Sequence, residues 1–232
     1  MPSSFIPVPA GRDERFDAYL ATPDSPNGGS IVVLQEIFGV NGYIRSVCDA
    51  FAAEGYFAIA PDLFWRQERL VALDPAVPDQ MQRALALSQS LDHGQAVADA
   101  LAAAAVAREQ PGANGKVAAV GFCLGGKLAY LMAMEPGIDA GVAYYGVAIQ
   151  ASLADMGKVT APLLLHIAAD DHLCPPDAQA AIAAAAAENP KVEIITHDGV
   201  GHGFARRGPT YDAVAAERAD AATAQRLRAS LT

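Results

Sequence analysis

The chain has 232 residues, of which 52% are apolar and 18% are charged, and its formal net charge is −10. This length and apolar content suit one folded domain spanning residues 1–232 and exclude a disordered chain. The acidic balance argues against nucleic acid or an anionic membrane as the main partner.

The N-terminal segment MPSSFIPVPAGRDERF has no charged stretch followed by an apolar core, so we expect no signal peptide. No apolar run approaches the roughly 20 residues that a membrane-spanning helix needs. The cysteines, Cys48, Cys123 and Cys174, are odd in number and show no C-x-x-C spacing. This pattern predicts free thiols in a cytoplasmic protein rather than a disulfide framework.

Apolar segments rich in β-forming residues recur along the chain, beginning with FDAYLATP at 16–23. Their continuous apolar character predicts strands that are covered on both faces. The other predicted strands are 30–35, 56–62, 116–122, 139–146, 162–168 and 191–197.

Helical spacing of apolar residues separates these strands and predicts helices at 43–54, 94–109, 124–134, 177–187 and 212–230. Asp177 is the predicted N-cap of the fourth helix. Residues 63–93 are predicted to form a long connecting segment that crosses over the strand ends, with a helix at 79–90. The alternation predicts the α/β class, with a mostly parallel central sheet and helices on both faces.

The segment GFCLGG, residues 121–126, has the G-x-S-x-G spacing of a nucleophile turn, with Cys123 in place of serine. It follows a predicted strand and opens a predicted helix, whose N-terminus favours a thiolate. The alternative is a buried structural cysteine beside a pair of glycines that pack a helix.

Two further candidate groups follow later strands, at the sheet edge where open α/β folds bind ligands. His202 lies in the glycine-rich segment GVGHGFAR, and Asp171 lies in the turn after the strand at 162–168. Asp170 is a competing acid, and ordinary solvated turn residues are the alternative for all three. The order nucleophile, acid, histidine is that of α/β-hydrolases, so the sequence predicts Cys123, Asp171 and His202 as a triad.

The remaining histidines fit a catalytic role less well. His166 lies inside an apolar strand and is predicted to be a core residue with satisfied hydrogen bonds. Zinc is the other common use of Cys, His and Asp side chains, but no cysteine has a second ligand at short spacing. No metal site is therefore predicted.

Together these motifs make the chain resemble the dienelactone hydrolase (carboxymethylenebutenolidase) family over nearly its whole length. The resemblance implies an α/β-hydrolase fold with a Cys-His-Asp triad, without a metal or an organic cofactor. Members of the family open enol-lactone rings that carry a carboxylate, in the degradation of chlorinated aromatic compounds. The segments that carry the resemblance are LQEIFGVN (34–41), APDLFWR (60–66), GKVAAVGFCLGG (115–126), AYYG (143–146), DDHLCPP (170–176) and GHGFAR (201–206).

By position, the resemblance implies that Cys123 is the nucleophile, His202 the base and Asp171 the group that orients the base. Glu36 matches a family glutamate that interacts with the resting thiol and helps to deprotonate it when substrate binds. A buried carboxylate paired with an arginine is the alternative for Glu36. The backbone N–H groups of Leu124 and Ile37 match the oxyanion hole.

The carboxylate-binding residues of the family are only partly matched. Arg206 corresponds to one of its two arginines, and a surface cation is the alternative for this residue. Met81 stands where the second arginine is expected. Arg83 is a nearby candidate for substrate binding in its place, although two helical positions further on it would face elsewhere. Tyr144 and Tyr145 are both candidate donors to the ligand.

We therefore expect a cysteine-dependent hydrolase of enol-lactones, of the dienelactone to maleylacetate type, or of related small esters, acting through an acyl-enzyme. One alternative is a broader carboxylesterase or lactonase with an altered carboxylate pocket, and another is a catalytically idle fold used for binding. The expected partner is a small-molecule ester or lactone. No nucleic acid, membrane or cofactor is expected to bind, and the protein is expected to be a monomer.

Overall fold

The computed structural model describes residues 2–232. Its backbone contacts divide the chain into two compact units, of which the first ends at Val117 and the second runs from Ala118 to Thr232. The single domain expected over 1–232 remains a prediction.

The first unit contains four strands in the order β1-β2-β4-β3. β2 pairs antiparallel with β1 and with β4, whereas β3 and β4 are parallel. The strands are β1 (Ser3–Ala10), β2 (Glu14–Ala21), β3 (Ser30–Leu34) and β4 (Phe57–Pro61). The helices are α1 (Gly42–Ala53), α2 (Pro78–Gln89) and α3 (His93–Arg108).

The second unit is built on parallel strands in the order β5-β6-β7-β8. They are β5 (Val117–Phe122), β6 (Ala140–Tyr144), β7 (Leu163–Ala168) and β8 (Val192–His197). The helices are α4 (Leu124–Met132), α5 (Pro176–Ala187) and α6 (Ala213–Leu231), with a 3-10 helix at Ile149–Lys158. Every predicted strand and helix is present, and no predicted end differs from the observed one by more than two residues.

Strand β1 is absent from the sequence prediction. It carries Pro7 and Pro9, and proline removes a backbone donor from a strand. β1 pairs only with β2 and is mostly exposed, so it tolerates the prolines as an edge strand. Exposure also removes the apolar pattern by which a buried strand is recognised.

Side-chain caps begin three of the helices. Asn41 accepts the Ile44 N–H at the start of α1, Asp92 caps α3, and Asp212 caps α6. The predicted cap at Asp177 is wrong, because Pro175 occupies the N-cap position of α5 and makes no side-chain cap bond. Asp177 lies instead in the first helical turn, where its carboxylate interacts favourably with the helix dipole.

Hydrogen bonds to two buried carboxylates of the first unit fix the long connecting segment that follows β4. Asp99 of α3 accepts hydrogen bonds from Trp65 Nε1 at 2.8 Å and from the guanidinium of Arg66. Asp62 accepts the Phe64 N–H at 3.2 Å and the Leu70 N–H at 2.6 Å. The bonds of Asp62 hold the loop after β4 against the residues at which it begins.

Among residues 2–232, none of the helices has the length and apolar character that a membrane span requires.

The pKa of Asp62 is raised to about 6, chiefly by its burial. The two backbone N–H bonds and Arg69 oppose this rise, and the charge of Asp17 adds to it. A carboxyl that holds its proton more tightly when folded stabilises the fold most below its ordinary pKa of 3.8. That contribution, about 3 kcal/mol, is lost as the pH rises through about 6.

We therefore predict that Asp62→Asn removes part of the pH dependence of the unfolding free energy between about pH 4 and pH 6. The comparison is urea unfolding of the wild type and the variant at several pH values across this window. The wild type should lose up to about 3 kcal/mol more than the variant as the pH rises. Equal pH slopes in the two proteins would contradict the buried, proton-binding state of Asp62.

Candidate active site

Cys123 lies at a sharp turn between β5, which ends at Phe122, and α4, which begins at Leu124. Its backbone has φ 54° and ψ −113°, a region that residues with a side chain rarely adopt. The Cys123 N–H donates to the Tyr144 carbonyl at 3.0 Å, and its carbonyl accepts from Gly126 N at 3.0 Å. The thiol-bearing residue is thus held by backbone bonds on both sides of a strained turn.

The glycines of the motif make this turn possible by close backbone approach. A Cβ on Gly121 would lie 1.9 Å from the Gly125 carbonyl oxygen. A Cβ on Gly126 would lie 2.7 Å from the Cα of Gly146 and 3.0 Å from the Tyr144 carbonyl oxygen. Close backbone approach at Gly121 and Gly126 therefore lets α4 pack against the ends of β5 and β6.

Asp171 and His202 form a hydrogen-bonded pair. His202 Nδ1 lies 2.8 Å from Asp171 Oδ2, and the Leu173 N–H donates to Asp171 Oδ1 at 2.8 Å. Burial by itself would raise the pKa of Asp171, but the hydrogen bond and charge of His202 and the Leu173 N–H together lower it. The competing acid Asp170 is exposed. Asp171 rather than Asp170 is thus the carboxyl group that contacts the His202 ring.

The two candidate tyrosines point to different surroundings. The Tyr145 ring contacts His202 edge to face, with centroids 5.0 Å apart, and also packs against Phe204. The Tyr144 hydroxyl donates to Asp220 at 2.8 Å and lies 2.7 Å from the Thr223 hydroxyl. Tyr145 is therefore the tyrosine that borders the Asp171–His202 pair.

The loop after His202 contains Arg206, the candidate for binding a substrate carboxylate. Arg206 is half-buried, and its backbone N–H donates to the Gly203 carbonyl at 3.0 Å. The Thr210 hydroxyl donates to the same carbonyl at 3.2 Å. The adjacent Arg207 is exposed and lies over the Tyr211 ring. The two neighbouring arginines thus have different environments.

Glu36 and Ile37 lie in the first unit, in the turn that follows β3, and Glu36 is 2% exposed. This turn is tied down on both sides. Leu63 N–H donates to the Gln35 side chain at 3.3 Å, and Leu73 N–H donates to the Phe38 carbonyl at 2.9 Å.

Arg83, also in the first unit, forms an ion pair with Glu68, with Arg83 Nε 3.2 Å from Glu68 Oε2. Both side chains are exposed. Arg83, the candidate to replace the missing family arginine, is therefore ion-paired with a carboxylate of its own unit.

The three cysteines are free and buried. Burial is the main cause that raises the thiol pKa of Cys48 and of Cys174. Within residues 2–232, no cluster of three or more His, Cys, Asp or Glu side chains has the geometry to hold a metal ion.

The prediction for His166 is confirmed, because both of its ring nitrogens are within hydrogen-bond distance of a partner. Those partners are His197 and Thr223, and Thr223 in turn contacts Tyr144. Sequence patterns do not reveal this cluster, because its members lie on different strands and on α6. The histidines in β7 and β8 are the one sequence signal for it.

Comparison with known proteins extends over nearly the whole chain. The dienelactone hydrolase family profile matches residues 16–231. A carboxymethylenebutenolidase of Pseudomonas putida is 39% identical over 191 residues, which are 82% of this chain and 81% of that protein. Carboxymethylenebutenolidase 1 of Cupriavidus pinatubonensis is 33% identical over 228 residues, covering 98% and 97% of the two chains.

A crystal structure from Klebsiella pneumoniae, whose name assigns it to the dienelactone hydrolases, is 28% identical and covers 98% of both chains. It superposes on this structure with a TM-score of 0.84. The α/β-hydrolase fold class expected from the sequence is thereby confirmed.

The close contacts of Gly126 lead to a stability prediction. Gly126→Ala should lower the unfolding free energy by about 1–3 kcal/mol, because the added methyl group meets backbone atoms that cannot move independently. Gly157→Ala is the matched control, since nothing lies within 4 Å of a Cβ there. Urea unfolding measures both variants, and equal losses in the two would contradict the packing argument.

Proposed function

Because this chain belongs to the dienelactone hydrolase family, whose members are hydrolases, we propose that it is a cysteine-dependent hydrolase of small enol-lactones or esters. In this proposal Cys123 is the nucleophile, His202 the base and Asp171 the orienting acid. An acyl-enzyme on Cys123 is the intermediate. No metal or organic cofactor takes part.

The observation that carries the proposal is the strained backbone at Cys123, in the same unit as the Asp171–His202 pair. A residue with φ 54° at the start of a helix has a backbone cost that ordinary packing does not require. A histidine whose Nδ1 is bonded to a carboxylate has its tautomer fixed, so that Nε2 is free to exchange protons. Both features support nucleophilic catalysis over a structural role for the thiol.

The proposed cycle begins when the Cys123 thiolate attacks the ester carbonyl carbon and a C–S bond forms. The carbonyl electrons move to oxygen, where the N–H groups of Leu124 and Ile37 are proposed to donate. Each such donor is typically worth about 3–4 kcal/mol in hydrolases. Glu36 is proposed to take the thiol proton when substrate binds, as the family resemblance implies.

The C–O bond of the ester then breaks, and the enolate leaves with its electron pair. An enolate is a stable leaving group, so a thiolate suffices to expel it. His202 next takes a proton from water, and the resulting hydroxide attacks the acyl carbon. The C–S bond breaks with its electron pair returning to sulfur, and the free acid is released. His202 gives its proton to the enolate oxygen, and Glu36 returns its proton to the Cys123 thiolate.

The substrate is proposed to be an enol-lactone with a carboxylate, because the Pseudomonas putida and Cupriavidus pinatubonensis relatives are named carboxymethylenebutenolidases. Arg206 is proposed to bind that carboxylate, with Tyr145 beside His202. Met81 in place of an arginine and the Arg83–Glu68 ion pair favour a second candidate, a broader carboxylesterase or lactonase for less anionic substrates. We further propose a monomeric, cytoplasmic enzyme with a small-molecule substrate.

The nucleophile is tested by thiol alkylation and by hydrolysis of an aryl ester. Cys123→Ala should abolish hydrolysis and remove the fast-alkylating thiol, because Cys123 alone is placed at the nucleophile turn. The control is the double variant Cys48→Ala, Cys174→Ala, whose buried thiols have raised pKa values and should react slowly. Wild-type hydrolysis by Cys123→Ala would overturn the mechanism. Three equally slow thiols would favour an idle binding fold.

Substrate class is tested by comparing a carboxylated dienelactone with a neutral aryl ester of similar size. Arg206→Gln should lower kcat/KM for the anionic lactone by about 10- to 100-fold, since a charge-assisted contact is lost. It should leave the neutral ester nearly unchanged. Arg207→Gln is the matched control, because this neighbouring guanidinium lies over Tyr211. A wild-type preference for the neutral ester would favour the broader esterase.

A further inference from the structure

Five polar side chains of the second unit form a continuous row of hydrogen bonds. His197 Nε2 lies 3.1 Å from His166 Nδ1, and His166 Nε2 lies 3.1 Å from Thr223 Oγ1. Thr223 Oγ1 lies 2.7 Å from the Tyr144 hydroxyl, which donates to Asp220 at 2.8 Å. The first four residues are at most 2% exposed, whereas Asp220 lies on the exposed face of α6. A buried polar row is therefore anchored at one end by a surface carboxylate.

The hydrogen positions follow from counting donors, beginning at that carboxylate. Tyr144 has a single hydroxyl hydrogen, which it uses in the hydrogen bond that it donates to Asp220. The 2.7 Å contact between the two hydroxyl oxygens then needs the hydrogen of Thr223. With its hydrogen used, the Thr223 oxygen accepts from the next member, so His166 must carry its proton on Nε2.

Both histidines have a single ring proton, because burial lowers their pKa values. The pKa of His166 is lowered to about 3, and the charge of Arg218 acts in the same direction on both rings. Asp198 opposes the shift at His197 without reversing it. A neutral His166 with its proton on Nε2 has a bare Nδ1, which accepts a hydrogen bond from the His197 Nε2–H.

The far end of the row agrees with this assignment. His197 then has a bare Nδ1, and this buried atom makes no hydrogen bond within residues 2–232. The opposite tautomer would leave a buried N–H without an acceptor, which is costly. Every donor in the row has an acceptor, and all the hydrogens point toward Asp220.

The geometry points to a one-way hydrogen-bond chain, His197 to His166 to Thr223 to Tyr144 to Asp220, in which Thr223 and Asp220 are positioning residues for the active site. The chain reaches that site through the Tyr144–Tyr145 pair. The carbonyl of Tyr144 accepts the Cys123 N–H at 3.0 Å, and the carbonyl of His166 accepts the Tyr145 N–H at 2.8 Å. The Tyr145 ring contacts His202. This link to catalysis rests on the proposed function, whereas the proton assignment does not.

The proton assignment is tested by long-range ¹H–¹⁵N correlation spectra of the full chain at neutral pH. A bare ring nitrogen and an N–H nitrogen have well separated ¹⁵N shifts. We expect His166 and His197 both to be neutral with the proton on Nε2. A proton on Nδ1 of either ring, or a doubly protonated ring, would overturn the one-way chain. His172, which is exposed and lies outside the row, is the comparison ring in the same spectra.

The positioning role is tested by Thr223→Val, which keeps the shape of the side chain and removes its hydroxyl. We expect kcat for the aryl ester to fall about tenfold with little change in KM, the loss that one misplaced hydrogen bond produces. Thr223→Ser restores the hydroxyl and should restore most of kcat. Equal kcat values for the wild type and a folded Thr223→Val would overturn the positioning role.

A second variant guards against misfolding of Thr223→Val. Asp220→Ala removes the terminal acceptor at an exposed position, and Glu217→Ala removes another exposed carboxylate of α6 as its control. Asp220→Ala should lower kcat several-fold and change the His166 ¹⁵N shifts, while Glu217→Ala should do neither. If Cys123→Ala keeps full activity, the proposed function fails, and the ¹⁵N shifts still decide the hydrogen-bond chain by themselves.

Discussion

The backbone of Cys123, at φ 54° between β5 and α4, is the constraint on which the second unit depends. A residue other than glycine in this backbone conformation costs free energy of order 1–3 kcal/mol, and the conformation persists only where the surrounding structure fixes it. Here the surroundings are backbone atoms, since the Tyr144 carbonyl holds the Cys123 N–H and the motif glycines allow α4 to approach β5 and β6 closely. The strain thus presents a thiol at the end of a parallel strand, where α/β folds bind ligands.

The end of β6 connects this turn to the Asp171–His202 pair. Tyr144 contacts the Cys123 turn through its carbonyl, while Tyr145, at φ 39°, places its ring against His202. Two consecutive residues therefore fix two parts of the site. The side chain of Tyr144 points the other way, into the polar row that ends at α6. Helix α6 is thereby hydrogen-bonded to the residue whose carbonyl holds the Cys123 N–H.

The first unit shows the same use of buried carboxylates to fix loops. Asp62 and Asp99 accept hydrogen bonds from the segment that follows β4. That segment in turn bonds to the residues on either side of Glu36 through Gln35 and Phe38. Burial of a carboxylate is unfavourable unless donors surround it, so both side chains favour one loop conformation. For Asp62, whose pKa burial raises, this has some cost in stability near neutral pH.

Strands β2 to β8 and the α-helices can be predicted from local sequence, because apolar periodicity is a local pattern, and the GFCLGG turn indicates a hydrolase family. Asp171 and His202 are indicated as well, since their order and their places after strands follow from the topology of α/β folds. The fold was needed to show that Asp171 rather than Asp170 contacts His202, that Tyr145 rather than Tyr144 borders it, and that β1 forms an edge strand. The polar row joins residues 31 to 79 positions apart, as for His166 with His197 and Tyr144 with Thr223. Hydrogen bonds over such separations depend on which strand and helix faces meet in the fold, and no local pattern of residues encodes that.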